Sequence, residues 1–195
     1  MEEMLTWFDE DWQPMGALPR SEVHRQELLH EVIHVWLASR GEDGWWIWFQ
    51  QRSFQKKGYP GLFDVAVGGH ISAGETPLPA ALREMEEEIG LFLSEEDLSM
   101  LGSRLDTQLL HGKQNREIVR LYFARQDAPQ FAPGEEVEQM VRIRAEDYLD
   151  LLKEEKREVE AIRTDGSTLF LNLSQFCQHG REFEEKVFPF LTGIM

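Results

Sequence analysis

The sequence is short of cysteine, of long apolar runs and of positive charge, and each shortage excludes a class of protein. Its single cysteine, Cys177, cannot form an internal disulfide or a cysteine metal cluster, so we expect a buried or unreactive thiol. No apolar run approaches the ~20 residues that span a bilayer, and the N-terminus is acidic rather than signal-like. We therefore expect a soluble, cytoplasmic protein with no membrane partner.

Positive charge is the second shortage. The 195 residues contain 20 Lys and Arg against 36 Asp and Glu, for a formal net charge of −16. Such a chain repels phosphate backbones, which argues against a nucleic-acid partner. It also repels small anions, so an anionic ligand needs a local basic patch such as Arg52, Lys56 and Lys57. We interpret these three residues as substrate contacts; the alternative is an ordinary cationic surface loop.

Residues 79–89 contain no helix breaker, and Pro77 and Pro79 suit the start of a helix. Apolar residues line one side of this predicted helix, namely Leu78, Leu82, Met85 and Ile89. Glu84, Glu87 and Glu88 fall on the opposite side, where their carboxylates are predicted to share one small volume. Oxygen ligands of this kind suit Mg²⁺ or Mn²⁺, whereas the alternative is a solvated helix face.

The spacing around this helix favours the metal site. The spacing resembles the Nudix box, G-x5-E-x7-R-E-U-x-E-E-x-G-U, in which U is aliphatic. In this sequence the pattern begins at Gly69, continues with Glu75 six residues later and ends with the run 83–91. The resemblance implies a Nudix-type α/β/α sandwich with a mixed sheet and hydrolysis of a diphosphate linked to another group. It also implies Mg²⁺ (or Mn²⁺) as the cofactor and a small-molecule diphosphate as the substrate.

The box resemblance assigns roles to individual residues. The implied metal ligands are Glu84, Glu87 and Glu88, with the Gly69 carbonyl as a further one. Arg83 is expected to orient Glu84 by a charge-assisted hydrogen bond. The general base is left open among Glu84, Glu88 and Glu117.

A narrower resemblance covers roughly the first 125 residues. Its pieces are Asp9-Glu10-Asp11, Pro14-x-Gly16, His24, Leu29-His30, Trp36-Leu37, Arg52, Lys56-Lys57, Pro60-Gly61 and Gly69-His70. This order is similar to the isopentenyl diphosphate isomerase branch of the Nudix superfamily. In that branch, histidines matching His24, His30 and His70, with two glutamates, hold a divalent metal, while a cysteine and a glutamate exchange protons with the alkene.

Two positions depart from the isomerase pattern. Gly68 stands at the place of the cysteine and Asn115 at that of one glutamate, although Glu117 fits the second glutamate. Because glycine has no proton to give, we predict a metal-dependent hydrolase, with the isomerase and a catalytically silent ligand-binding module as alternatives. The histidine-rich second metal site stays open, since these histidines could instead orient loops or pair with acids. His34 matches no ligand and is interpreted as a packed strand residue.

One domain over residues 1–195 is predicted, with an extension at about 1–28, the box at 69–91 and a helical addition at about 159–195. β-Branched and aromatic residues predict strands at 31–38, 45–51, 63–67, 102–110 and 117–124, and another at 139–143. Helices are predicted at 79–89, 145–156 and 174–191. The aromatic run 45–49 favours packing in the core or in a homodimer.

Overall fold

The computed structural model describes residues 2–110 and 112–193, and in these ranges eleven strands form one sheet. The strands are β1 (Met4–Phe8), β2 (Pro14–Pro19), β3 (Leu29–Gly41), β4 (Gly44–Arg52), β5 (Phe63–Val65), β6 (Val67–His70), β7 (Leu98–Leu110), β8 (Lys113–Arg125), β9 (Val137–Arg144), β10 (Val159–Arg163) and β11 (Thr168–Leu171). The α-helices are α1 (Arg20–Arg25), α2 (Pro77–Ile89), α3 (Ala145–Leu152) and α4 (Phe188–Thr192). Short 3₁₀ turns span Glu95–Asp97 and Leu173–Gln175, and a π-helical turn spans Phe183–Val187.

Strand β3 is the centre of the sheet. It pairs in parallel with β8 and antiparallel with β4, β6 and β1, which makes the sheet mixed. The main path runs β11-β10-β9-β4-β3-β1-β2, while β7 joins through β8 and β5 through β4. The long β3 strand therefore brings the N-terminal strands, β6 and β8 to one place.

Each face of the sheet is covered by helical structure. Alternate residues of β3 point to opposite faces, so Ile33 and Val35 pack in a core with α2, while Val32 and Trp36 pack in a second core with α3 and the C-terminal turns. Burial of these two apolar faces is the main stabilising contribution. The predicted α/β/α sandwich with a mixed sheet is confirmed.

The predicted helix at 174–191 is correct from residue 183 and wrong before it, and the addition predicted to be helical from about residue 159 begins instead as a hairpin. Residues 159–171 form the hairpin of β10 and β11, in which Val159 and Ala161 are buried and Glu160 is exposed. Beyond it the chain pairs with β5 through a parallel bridge between Phe176 and Phe63, and the Cys177 N–H donates to the Phe63 carbonyl at 2.7 Å. Continuous helix begins only near Phe183. Apolar spacing suggested a helix there because the aromatic side chains all face one core, whatever the backbone does.

The aromatic run divides between core and surface. Trp48 and Phe49 are buried, which confirms the core interpretation for them. Trp46 is half-buried with Arg142 over its ring at 4.9 Å to the centroid. The homodimer stays a prediction. The chain ends of the predicted domain, residue 1 and residues 194–195, lie outside the described residues. None of the helices in the described ranges is long and apolar enough to cross a membrane.

Candidate functional site on both sides of strand β6

Strand β6 carries the candidate site because its successive residues face opposite sides. A Cβ added at Gly69 would lie 2.2 Å from Cδ of Glu84, so only glycine lets this carboxylate approach the strand. One residue on, the His70 ring lies against His24 and His30 on the other side. Gly68 faces that same second side, toward His34. The strand thus has a carboxylate side and a histidine side.

Helix α2 presents the carboxylates. It begins at Pro77, where the missing N–H costs nothing, and ends at Gly90, whose φ of 66° is the left-handed conformation typical of a helix C-cap. Buried Met85 and Ile89 fix its inner face against the sheet. This anchoring directs the acidic residues of the helix toward β6 and solvent.

Arg83 organises the first part of the carboxylate side. Its Nε and Nη2 donate to the two oxygens of Glu75 at 3.0 and 2.9 Å, and Nη2 also donates to the His70 carbonyl. Its Nη1 donates to Glu84 at 2.8 Å and to Glu87 at 3.1 Å. The predicted contact from Arg83 to Glu84 is therefore present. Glu75 ties the guanidinium to the loop before α2, as a structural residue would.

Glu88 forms the second part and is 4% exposed. Its Oε2 accepts from the Gln50 side chain at 2.8 Å and from the Gly68 N–H at 3.2 Å, and Lys56 Nζ lies 3.3 Å from Oε1. Burial raises the pKa of Glu88 to about 7, although Lys56 opposes the shift. Burial also raises the pKa of Glu84. Both carboxylates are therefore easier to protonate than an exposed glutamate, although each contacts a cationic side chain.

The three box glutamates do not converge as predicted. In the described part of the chain, side-chain ligand atoms of at least three His, Cys, Asp or Glu residues come within 4.8 Å of one another at two places, and neither includes Glu84, Glu87 or Glu88. Arg83 draws Glu84 and Glu87 to itself, whereas Gln50 and Lys56 hold Glu88 elsewhere. The side chains of the first two would have to turn from Arg83 to share a cation with Glu88. Their role as ligands stays a prediction.

The predicted basic patch is divided. Arg52 turns inward, where it donates to Asp64 at 2.8 Å and to the Gly58 carbonyl. Lys56 lies between Glu88 and Glu136, 2.5 Å from the latter, and Lys57 is exposed. Lys56 joins this patch to a box carboxylate.

The histidine side brings together His24, His30 and His70, as the isomerase resemblance implies. Nε2 of His24 lies 3.2 Å from Nε2 of His70, while Nε2 of His30 is buried without a hydrogen-bond partner. Burial lowers the pKa of all three, to about 4 for His30, so each ring is neutral at pH 7. Neutral imidazoles whose ring nitrogens lie within 4.8 Å of one another fit a transition metal ion.

Glu117 and Asn115 border the histidine side. Glu117 Oε1 lies 3.9 Å from His30 Nε2, too far for a hydrogen bond. Asn115 donates from Nδ2 to Glu117 at 2.7 Å, so the residue that replaces a glutamate acts as a partner of the remaining one. Burial raises the pKa of Glu117. The histidine site therefore has three imidazoles and one neighbouring carboxylate.

A buried polar cluster beside this site was missed from the sequence. His34, on the histidine side, contacts Glu182, and His179 contacts Asp64. The pairs are separated by 148 and 115 residues, and no local spacing marks them. His34 is a packed strand residue as predicted, but the acid that meets it comes from the C-terminal segment. Cys177 is buried, which confirms that prediction, and burial together with Asp64 raises its pKa.

Comparisons with known proteins place the fold in a family. The NUDIX domain profile matches residues 28–163. An uncharacterised Nudix hydrolase of Pseudomonas aeruginosa is 39% identical over 90 residues, 46% of this chain and 51% of its own length. An isopentenyl-diphosphate Delta-isomerase of Pectobacterium atrosepticum is 32% identical over 128 residues, 65% of this chain and 69% of its own.

Among solved structures, a protein of Deinococcus radiodurans is similar with a TM-score of 0.60 and 27% identity, over 78% of this chain and 90% of its own. The chain spans only about half the length of the first curated relatives it matches. The similar proteins include both hydrolases and isomerases, as the two sequence resemblances predict. The chain therefore belongs to the NUDIX domain family, in its isopentenyl-diphosphate-isomerase-like branch.

Proposed function

We propose that the protein is a metal-dependent hydrolase that cleaves the diphosphate linkage of a nucleoside diphosphate derivative or another small diphosphate. The observation that carries this proposal is the carboxylate side of β6, where an intact box supplies Glu84, Glu87 and Glu88, and Lys56 faces Glu88. Curated relatives that are named Nudix hydrolases support the reaction class.

The donor set fits a hard divalent cation. Glu84 and Glu88 are carboxylates with pKa values raised by burial, and a cation at this place would relieve both. Glu84, Glu87 and Glu88 would hold Mg²⁺ or Mn²⁺, with the Gly69 carbonyl as a further ligand. A divalent ion held there would supply the positive charge that phosphate oxygens and the leaving group require.

The chain's own residues have separate tasks in the proposed reaction. Arg83 positions Glu84 while Glu75 holds the guanidinium in place. Lys56 contributes positive charge next to Glu88 and lowers the pKa of that carboxylate. Burial raises the pKa values of Glu84, Glu88 and Glu117, which suits a group that accepts a proton from water, so the general base stays open among these three.

A substrate panel tests the hydrolase directly. Nucleoside diphosphate derivatives and smaller diphosphates are incubated with Mg²⁺ and then Mn²⁺, and phosphate and pyrophosphate are measured. We expect hydrolysis of at least one class, its loss with EDTA and its loss in Glu88→Gln. Hydrolysis that persists in EDTA would contradict the metal-dependent mechanism.

The isomerase is the second candidate, since one relative that carries that name matches over 69% of its length. Gly68 argues against it, because the position that would handle the alkene proton carries only hydrogen. Incubation with isopentenyl diphosphate and Mg²⁺ should yield no dimethylallyl diphosphate. Isomerisation by the wild type, and equally by a Cys177→Ser variant, would favour the isomerase over the hydrolase.

A further inference from the structure

The C-terminal segment closes over the histidine face of the sheet and brings a second group of ligand-type side chains together there. His34 of β3 lies with His179 and Glu182, and one ligand atom of each comes within 4.8 Å of the others. His34 is 6% and Glu182 is 1% exposed. None of these three residues belongs to the Nudix box or matches a metal ligand of the isomerases.

The turn at residues 178–182 sets the position of the two C-terminal members. Gly180 has a φ of 56°, and a Cβ at this position would lie 2.6 Å from the Arg104 guanidinium. Arg104 in turn donates to the His179 carbonyl at 2.6 Å. This glycine therefore allows a close turn that directs His179 and Glu182 to the same buried volume.

His179 has one nitrogen engaged and one without a partner. Its Nε2 lies 2.5 Å from Asp64 Oδ1, while its Nδ1 is buried with no hydrogen-bond partner. Asp64 also accepts from Arg52 at 2.8 Å and from the Val65 N–H at 2.9 Å, so it faces His179 as an acceptor. A proton on His179 Nε2 completes this hydrogen bond, and in that tautomer the buried Nδ1 carries a lone pair. Because a buried acceptor without a hydrogen-bond partner is unfavourable, a ligand that binds this lone pair would stabilise the site.

His34 and Glu182 supply the other two donors. Nδ1 of His34 lies 3.1 Å from each oxygen of Glu182, and the rings of His34 and His179 are 4.5 Å apart. Trp36 donates from Nε1 to Glu182 at 3.2 Å, which fixes the carboxylate. Two imidazole nitrogens and one carboxylate oxygen make a mixed donor set that suits Zn²⁺ or Co²⁺ better than Mg²⁺.

We propose that His34, His179 and Glu182 form a transition-metal site, separate from the box carboxylates and from the cluster of His24, His30 and His70. Asp64 orients His179 from behind, in the arrangement by which a carboxylate commonly supports a metal-bound histidine. In the metal-free protein, His34 and Glu182 contact each other directly at the place where the ion would lie. The site does not depend on the proposed hydrolysis.

The number of zinc ions bound per chain, measured in a His70→Asn variant, tests this site separately from the other two. His70→Asn removes a member of the other histidine cluster, and millimolar Mg²⁺ occupies the oxygen ligands of the box. The full-length variant is stripped with EDTA, dialysed, incubated with Zn²⁺ and passed through a desalting column. We expect about one zinc ion retained per chain, and we expect none when Glu182→Gln is added.

Glu185→Gln in the same background is the matched control, because Glu185 lies in the same segment but is exposed and faces Arg181. It should retain the ion. Circular dichroism checks the fold, and His179→Gln replaces Glu182→Gln if the latter does not fold. Zinc retained equally with and without Glu182→Gln or His179→Gln would overturn the proposal. It would also be overturned if the His70→Asn parent retained no zinc, because His34 and Glu182 would then form only an ion pair.

Asp64→Asn gives a second readout that a purely structural cluster would not produce. It keeps all three donors but weakens the orientation of His179, so the dissociation constant for Co²⁺ should rise by about 10–100-fold at unchanged stoichiometry. The visible absorption of bound Co²⁺, followed during a titration, measures both the dissociation constant and the stoichiometry. An unchanged Co²⁺ affinity would contradict the assigned role of Asp64 and the use of His179 Nδ1.

Discussion

The two sides of strand β6 differ in how their charge is balanced. On the carboxylate side the chain supplies its own cations, since Arg83 binds Glu84 and Glu87, and Lys56 faces Glu88. On the histidine side three rings are neutral, and the buried Nε2 of His30 has no hydrogen-bond partner. The carboxylate side can therefore form without a metal. If both sides bind metals as proposed, we expect the ion on the carboxylate side to come and go with substrate and the ion on the histidine side to stay bound.

The largest effect is expected from Glu88→Gln or Glu87→Gln. Loss of one carboxylate should lower turnover by roughly 10²–10⁴-fold, the range of a lost acid–base or metal contact. The free energy of unfolding should stay unchanged or rise slightly, because mutual repulsion in the acidic cluster is reduced. Steady-state kinetics and denaturant unfolding measure the two quantities. Glu86→Gln, on the exposed face of the same helix, is the matched control and should keep full turnover.

The histidine side should be visible in the pH dependence of stability, measured in EDTA. An unfolded histidine has a pKa near 6.5, and burial lowers that of His30 to about 4. The unfolded state then binds more protons, so this contribution is complete above pH 6.5 and is lost as pH falls toward 4. The loss should reach about 3 kcal/mol at pH 4.

His34 provides the contrast within the same strand. Glu182 outweighs burial and raises its pKa to about 9, so its contribution is complete below pH 6.5 and lost as pH rises through 9. Denaturant unfolding from pH 4 to 10 should show an acid loss that is reduced in His30→Asn and an alkaline loss that is not. An acid loss of equal size in His30→Asn and wild type would assign it to other groups.

A smaller effect is expected from Lys56→Met. KM should rise about tenfold if Lys56 makes one charge-assisted contact with the diphosphate. Because Lys56 also lowers the pKa of Glu88, the acid limb of kcat/KM should move to higher pH. Lys57→Met should raise KM by less and leave that limb in place. An unchanged KM and pH profile in Lys56→Met would show that the patch is an ordinary surface loop and not a substrate contact.

The smallest effect is expected from Gly68→Cys. An added Cβ would lie 3.6 Å from Val65 and 3.7 Å from His34, both ordinary contacts, so stability should change by no more than about 1 kcal/mol. We expect no isomerisation of isopentenyl diphosphate, because Asn115 leaves the histidine site one carboxylate short. Conversion to dimethylallyl diphosphate by this variant, followed by proton NMR, would show that glycine alone separates the two reactions.

Local patterns were enough to predict the parts of the fold that are set locally. The box helix is one such part, since its prolines, apolar spacing and Gly90 all lie within one segment. The central strands are another, because β-branched and aromatic residues mark them. The hairpin of β10 and β11 and the course of residues 176–182 are set instead by contacts with the sheet, such as Cys177 with Phe63.

The candidate site was predictable to a similar degree. Family spacing placed the box glutamates and three histidines, but it could not show that Arg83 and Lys56 separate Glu88 from Glu84. It also gave no sign of Glu182 opposite His34, since partners 148 residues apart leave no periodic signal. Charge balance in a buried site depends on such distant partners, and only the folded chain reveals them.

The most direct test compares the two sides of β6 in one experiment. Mn²⁺ binding, followed by electron paramagnetic resonance, and diphosphate turnover are measured in parallel for the wild type, Glu88→Gln and His70→Asn. The account predicts that Glu88→Gln loses turnover together with Mn²⁺ affinity, while His70→Asn keeps most of its turnover. Loss of turnover in His70→Asn with near-normal turnover in Glu88→Gln would contradict it, because the reaction would then belong to the histidine side.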